Sequence, residues 1–462
     1  MSGLRAASPP PSVRPVSSGV PSQPSDEAPR GRDARALSAE DLSILALENA
    51  TVAGHTCKVV VVEDPMDPVR LREQVGAHLA EAPELGVRLE EVDGTPCWVE
   101  DPDLDLEAHV VAQDAGPALD EAGLRTTVAG LFEQRLDRSR PLWRMDVLPE
   151  LANGTGAIIW RIHHALADGA TAMRLARAVL WEEQPPAAPA AKAGARRPRA
   201  ERRASRNDAG RLGAGLAAMA REAPQAWRRS PFDGHISARR SVAFADVELA
   251  GLHRAAAAAD GATVNDAVLT VVAGGLRRWL EDRHGHLGAV RVKVPVSLHG
   301  PASGAHENAE ASEPGNRDSF FCLDLPLESG DPLERLASIH RATRVRKQGH
   351  DAQRLDALMR ELGRASPRLR RFAEHALSHP RSFALNVSNV PGPRNPVRVL
   401  GSPVRALHSL AEIRERHALR VSVVSLADRL TFGLCADPTL VDDVERLAAG
   451  MGAEAAALVA RR

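Results

Sequence analysis

The 462-residue chain is 44% hydrophobic and 26% charged, the balance of a globular protein long enough for two or three domains with substantial cores. Its net charge of −1 gives no whole-chain field to draw in nucleic acid, and 3% aromatic content without a single tyrosine leaves little for a base-stacking surface. The four cysteines, Cys57, Cys97, Cys322 and Cys435, lie far apart, so neither a zinc site nor a disulfide framework is expected and a reducing, cytoplasmic setting fits.

Residues 1–36 are rich in Pro, Ser and Arg, with almost nothing to form a core, and read as a disordered N-terminal tail without a signal-peptide core. No apolar run approaches the ~20 residues of a membrane span. From Leu37 to residue 182 the pattern mixes strands and helices. Ser38 caps a short helix, Lys58–Val62 is a buried strand, and Val69–Leu79 is a helix. Val87–Val92 and Cys97–Glu100 form a hairpin around Asp93-Gly94. Leu124–Arg135 is helical, Leu142–Leu148 and Ala157–His163 are strands, and Thr171–Trp181 has the apolar spacing of one helical face. Residues 183–235 read as a basic linker with six arginines between 196 and 206, followed by a crossover helix over Leu212–Trp227. That helix is either a solvated connector or a membrane-surface contact. A second α/β domain covers 236–462. Its helices are Val247–Ala259, Val264–Leu280, much of 331–377, and Val441–Val459. Its strands are Val290–Leu298, Phe320–Leu325, Phe383–Val387, Leu419–Val424 and Leu430–Leu434, with a polar loop at 301–316. Two α/β sandwich domains joined by the basic linker follow from this order.

The chemistry concentrates in His163-His164-Ala165-Leu166-Ala167-Asp168-Gly169, at the end of the strand Ala157–Ile162. Side chains alternate along a strand, so the two histidines point to opposite faces if it persists, and only one reaches a shared reaction centre. His164, nearer the turn, is the expected base. A neutral imidazole takes a hydroxyl proton near neutrality, the alkoxide attacks an activated acyl carbonyl such as a thioester, and the imidazolium protonates the departing thiol. Asp168 is expected to bridge to an arginine that shapes the loop rather than to relay charge, with His163 as structural support. Gly169 permits a close approach that a Cβ forbids. Thr263 and Asp266 have capping-box spacing, which accounts for these two without catalysis. His284-Gly285-His286 is too sparse for a metal, and none is expected.

The histidine block resembles the signature of the CoA-dependent acyltransferase superfamily, which includes chloramphenicol acetyltransferase-like enzymes and peptide-synthetase condensation domains. Further segments resemble, in order, those of bacterial wax ester synthase/diacylglycerol acyltransferases. They are Asp103–Val110, Leu136–Trp143 with Pro141 and Trp143, Thr263–Leu269, Val294–Leu298, Gly315-Asn316-Arg317, Ser388-Asn389-Val390-Pro391-Gly392-Pro393 and Gly433–Asp437. The resemblance spans about residues 37–460. It implies two chloramphenicol acetyltransferase-like domains with a tunnel at their interface, and His163 and His164 on that tunnel. Asn265 would assist the reaction, and Gly169, Pro141, Trp143, Asn316, Ser388 and Asn389 would shape the site. It also implies transfer of a fatty acyl group from acyl-CoA, as co-substrate and with no permanently bound cofactor, to diacylglycerol or a long-chain alcohol. Peripheral contact with membranes or lipid inclusions is part of the same expectation. An acyltransferase of the superfamily using a carrier-protein thioester or a specialised alcohol or amine is the alternative, and a non-catalytic scaffold a third reading.

Overall fold

The computed structural model describes residues 34–113, 119–183, 208–224, 230–285, 287, 290–297 and 318–460. Strand β1 (Arg35–Ala36) pairs with Trp98 and Cys97, so Arg35 and Ala36 belong to the fold rather than to the expected tail. Helix α1 (Ala39–Leu45) follows a complete capping box, in which Ser38 Oγ accepts the Asp41 N–H and the Asp41 carboxylate accepts the Ser38 N–H. Next come β2 (His55–Val62), α2 (Pro68–Ala77) and the hairpin β3 (Val87–Val92) and β4 (Thr95–Glu100). Asp93 and Gly94 take positive φ of 50° and 75°, the conformation such two-residue turns demand. Then come α3 (Leu106–His109), β5 (Val110–Ala112) and α4 (Glu121–Phe132), which starts before the expected Leu124 because Asp120 caps it. Strands β6 (Trp143–Leu148) and β7 (Gly156–His163), helix α5 (Gly169–Val179) and β8 (Glu182–Glu183) complete this half.

The second half holds α6 (Asp208–Glu222), β9 (Ser241–Glu248), α7 (Leu249–Ala257), α8 (Val264–His284), β10 (Arg291–Ser297) and β11 (Asp318–Asp324). Helices α9 (Pro332–Gln348), α10 (Asp351–Ala365) and α11 (Pro367–Leu377) follow, then β12 (Leu385–Val390), β13 (Val397–Val399), β14 (Ser402–Ala411), β15 (Leu419–Leu426), β16 (Arg429–Ala436) and α12 (Val444–Ala460). Val247 and Glu248 end strand β9 instead of starting a helix, and β5, β8, β13 and β14 are strands beyond the expected set. The polar loop 301–316 with Asn316, and Trp227 of the expected crossover helix, lie outside the described residues.

The strands form a seven-stranded sheet ordered β5-β6-β7-β2-β14-β13-β8, a six-stranded sheet ordered β11-β10-β12-β15-β16-β9, and a small sheet β1-β4-β3. The expected fold class, α/β with two sandwich halves, is the observed one. The division at 236–462 is not a spatial one, however. Strand β14 pairs antiparallel with β2, from Val404 opposite Val62 to Ala411 opposite Thr56, so the second half of the chain supplies two strands to the first half's sheet. Phe232, placed in the linker by the expected boundaries, is fully buried in the core.

One core cluster packs Val60, Ile158, Trp160 and Ile162 under α2 and α5, and includes Val404 and Leu407 of β14. The other joins the opposite face of the same sheet, Val59 and Ile159 with Phe132 of α4, to the six-stranded sheet and to α8 and α12. The halves therefore share one apolar interior on the side away from α5. No helix of the described residues is long and apolar enough to cross a membrane.

Candidate active site between the two sheets

Strand β7 is buried along its whole length and delivers the histidines to one end of the seven-stranded sheet. Its ladder stops at His163, whose N–H donates to Leu142 O at 2.9 Å. His164 is already in the turn, so strand alternation does not extend to it. Its N–H donates to Gly54 O at 3.0 Å, while Leu166 and Ala167 N–H both return to His163 O. Asp168 then caps α5, its carboxylate accepting the Thr171 N–H at 2.6 Å, and Gly169 is the first helical residue. The motif is thus strand, turn and capped helix, each part anchored by backbone hydrogen bonds.

His163 is 1% exposed, and its Nδ1 accepts the Ala165 N–H at 3.1 Å, which leaves the ring proton on Nε2. That nitrogen faces Gly54, where a Cβ would sit 2.6 Å away, and Gly54 itself has φ +77°. Burial, then the neighbouring His164, holds His163 down to about 3. It is a walled-in, neutral ring that fixes the turn. His164 is half-buried, with its Nδ1 enclosed. Desolvation, followed by the Arg420 guanidinium, lowers it to about 4, so it is neutral at pH 7.

The expected arginine bridge of Asp168 is not formed among the described residues; its carboxylate goes to the helix cap instead, because the turn places it on the first free N–H groups of α5. The cation it acts on is Lys58 of β2, buried within the apolar run Val59–Val62. Lys58 Nζ donates to Ser409 Oγ at 2.6 Å, and burial draws its pKa down to about 8 against the pull of Asp168.

Gly169 has the role its spacing suggested. A Cβ there would lie 2.7 Å from Val390 Cγ2, so its absence lets the end of β12 close on the start of α5. This brings the Ser388-Asn389-Val390 segment to the histidine turn. Ser388 and Asn389 are half-buried, and Ser388 Oγ lies 3.4 Å from Ser422 Oγ of β15. Gly392 just beyond packs so closely that a Cβ would meet Ser425 O at 1.9 Å.

Pro141 and Trp143 act at one remove. Trp143 is core, donating from Nε1 to Leu85 O at 2.7 Å and stacking on His109, while Leu142 between them anchors His163. Asp266 and Thr263 form the capping box of α8, and Asp266 also accepts from Thr343 Oγ1 and contacts His340 Nδ1. Asn265 is half-buried in the same turn, and among the described residues no hydrogen bond joins it to the histidines. Sequence reasoning missed Gly54, Lys58 and the basic residues of the facing sheet, Lys293, Arg414 and Arg420. For Lys58 a signal existed: a lysine opening a fully apolar strand run has no place in a core unless something pairs with it.

The chain thus folds as two main sheets, with both histidines where β7 runs into the turn before α5. A wax ester synthase/diacylglycerol acyltransferase from Marinobacter aquaeolei VT8 superposes with a TM-score of 0.67 over 92% of this chain and 98% of that one, at 23% identity. A starter condensation domain of rhizomide synthetase, solved with C8-CoA and Leu-SNAC, shares the fold at a TM-score of 0.56 and 16% identity over 92% and 94% of the two chains. Residues 37–268 match the wax ester synthase/diacylglycerol acyltransferase catalytic domain and 314–458 the C-terminal domain of the same family. The probable diacylglycerol O-acyltransferase tgs1 of Mycobacterium tuberculosis is 30% identical over 387 residues, 79% of this chain and 82% of that protein. A putative diacylglycerol O-acyltransferase of the same organism, Rv0221, is 28% identical over 456 residues, covering 90% and 94%. The protein is an acyltransferase, and it belongs to the wax ester synthase/diacylglycerol acyltransferase family.

Proposed function

We propose that this chain moves a fatty acyl group from acyl-CoA to the hydroxyl of diacylglycerol or a long-chain alcohol, with His164 as the base. The observation that carries this reading is the contrast between the histidines: His163 is sealed at 1% exposure and hydrogen-bonded to its own turn, whereas His164, neutral at pH 7, keeps part of its surface open. His164 accepts the hydroxyl proton as the oxygen attacks the thioester carbon. The C–S bond then breaks, and the imidazolium returns the proton to the departing thiolate, giving ester and free CoA. Desolvation keeps His164 neutral at pH 7, the form that can accept the hydroxyl proton. His163, Asp168 and Gly169 hold the turn, and Gly169 with Val390 closes the sheets around it.

The lipid acceptor would be met at a surface. Phe372 and Leu369 on α11 are 72% and 52% exposed beside Arg368, Arg370 and Arg371, and Leu212 and Leu216 of α6 are also exposed. Apolar side chains among arginines on helices suit peripheral binding to anionic lipid. The test is thiol release from palmitoyl-CoA with hexadecanol or dioleoylglycerol, run with His164→Ala alongside. Release that requires an acceptor and falls at least ~10²-fold in the variant is expected. Unchanged release by folded His164→Ala overturns the assignment.

A further inference from the structure

The six-stranded sheet turns a row of basic and polar side chains toward the histidine turn. In register across three strands, Lys293 of β10 lies beside Asn386 of β12, and Asn386 beside Arg420 of β15, so the three share one face. Arg414, in the segment between β14 and β15, lies near enough for its charge to act on both Lys293 and Arg420. The path from this row to His164 is short and continuous. Arg420 donates from a terminal nitrogen to Glu412 O at 3.1 Å, Glu412 Oε2 accepts the Ala53 N–H at 3.2 Å, and the next residue, Gly54, accepts the His164 N–H.

These cations lack counter-charges. Among the described residues none of Lys293, Arg414 and Arg420 is in ion-pair contact with a carboxylate. The nearby acids are committed elsewhere: Glu412 to Arg240 at 2.8 Å, and Glu222 to Arg291 at 2.9 Å and Arg346 at 3.1 Å. The Arg420 Nε and the Asn386 Oδ1 are buried without a hydrogen-bond partner. Lys293 Nζ rests on ring faces instead, 3.9 Å from the centroid of Phe320 and 5.3 Å from that of Phe383. Burial, and then the neighbouring Arg414, draws Lys293 down to about 8 and Arg420 to about 10. Three neighbouring half-buried cations are costly unless an anion joins them. A wall meant only for a neutral alcohol or glyceride would be more stable if apolar.

We propose that Lys293, Arg414 and Arg420, with Asn386, form a subsite for a permanent oxyanion, a carboxylate or a phosphate, carried by the acyl acceptor close to its reacting hydroxyl. This rests on the reading of His164 as base. The thioester must sit at His164 during transfer, and the pantetheine arm keeps the phosphates of its CoA away from that point. The transient oxyanion of the tetrahedral intermediate is commonly met by a pair of hydrogen-bond donors at the reacting carbon, rather than by three fixed cations. The subsite therefore belongs to the acceptor and goes beyond the proposed function, adding alcohols that carry a charge to the neutral diacylglycerol and long-chain alcohols.

Two matched pairs of acceptors test this with palmitoyl-CoA and the full-length protein. They are 3-hydroxydecanoate against its methyl ester, and 1-decanoylglycerol 3-phosphate against 1-decanoylglycerol. The charged member of one pair should have a kcat/KM at least ~10-fold above its neutral partner, as a charge-assisted hydrogen bond warrants. The pair that shows it distinguishes carboxylate from phosphate. In Arg420→Gln and, separately, Arg414→Gln that ratio should fall toward one. Arg414→Gln guards against misfolding, because the Arg414 side chain makes no hydrogen bond among the described residues. Neutral acceptors preferred in both pairs, or a ratio that survives both substitutions, would overturn the proposal. So would an effect seen only in KM for palmitoyl-CoA and absent with the phosphate-free N-acetylcysteamine thioester, which would give the cations to the donor. If no acceptor turns over, calorimetric titration of the same four compounds decides by the same ratio. His164→Ala separates the two readings: transfer surviving in it refutes the base, whereas absence of charge preference in the unsubstituted enzyme refutes the subsite alone.

Discussion

Gly54→Ala tests the placement of the histidine turn most sharply, because two separate costs meet at one Cβ. Gly54 has φ +77°, which costs an alanine about 1–2 kcal/mol. The new Cβ would also lie 2.6 Å from His163 Nε2, about 0.9 Å inside an unstrained ~3.5 Å contact. His163 cannot swing aside freely, being 1% exposed and tied through Nδ1 to Ala165. Overpacking of this kind adds about 1–3 kcal/mol, for a total of about 2–5 kcal/mol. The shift passes to His164, whose N–H hangs on the Gly54 carbonyl, and a displacement approaching 1 Å at a reacting group lowers kcat up to ~10²-fold. The assay is a double-mutant cycle on urea-unfolding free energies with His163→Ala. In the His163→Ala background the ring is gone, so Gly54→Ala should cost only the backbone share of about 1–2 kcal/mol. Equal costs in the two backgrounds would refute the steric argument, and parental kcat in Gly54→Ala would refute its transmission to His164.

The remaining expectations concern charge, core and surface. With His164 near 4, kcat/KM should stay flat from pH 7 to about 5 and fall on a limb centred near 4; a limb near 6.5 would show that burial does not govern the base. His163, near 3 when folded and about 6.5 when unfolded, takes up its proton more readily in the unfolded chain, so stability is lost as pH falls from 6.5 toward 3. The urea midpoint of His163→Gln should depend less steeply on pH in that window than the parent's, and an identical slope would exclude His163 as the cause. Asp146→Ala strands Arg161, 2% exposed and bound to the Asp146 carboxylate at 2.8 and 3.1 Å, and should cost about 3–5 kcal/mol in urea unfolding; an unchanged midpoint would contradict the buried pair. Phe372→Asp should reduce sedimentation with anionic vesicles about 10-fold, as expected for losing one buried aromatic side chain, while undiminished binding would remove α11 from the lipid contact.

What the sequence alone determined is local. The capping boxes at Ser38 and Thr263, the Asp93-Gly94 hairpin, and the passage from β7 through a turn to α5 all rest on interactions within a few residues, so residue type and period suffice to read them. The ordered motifs identified the family for the same reason. Asp168 shows the limit even there: its type allowed a cap or an arginine bridge, and the turn geometry chose the cap. Strand β9 was misread because Ser241–Glu248 alternates weakly and gains its stability from pairing with β16, far along the chain. Strand β14 joins β2 across more than 300 residues, Gly54 meets His163 only because β2 and β7 are neighbours, and Lys293, Asn386 and Arg420 line up only through the register of three separate strands. Pairing and register are decided by which surfaces bury one another in three dimensions, and no local period in the chain encodes that choice.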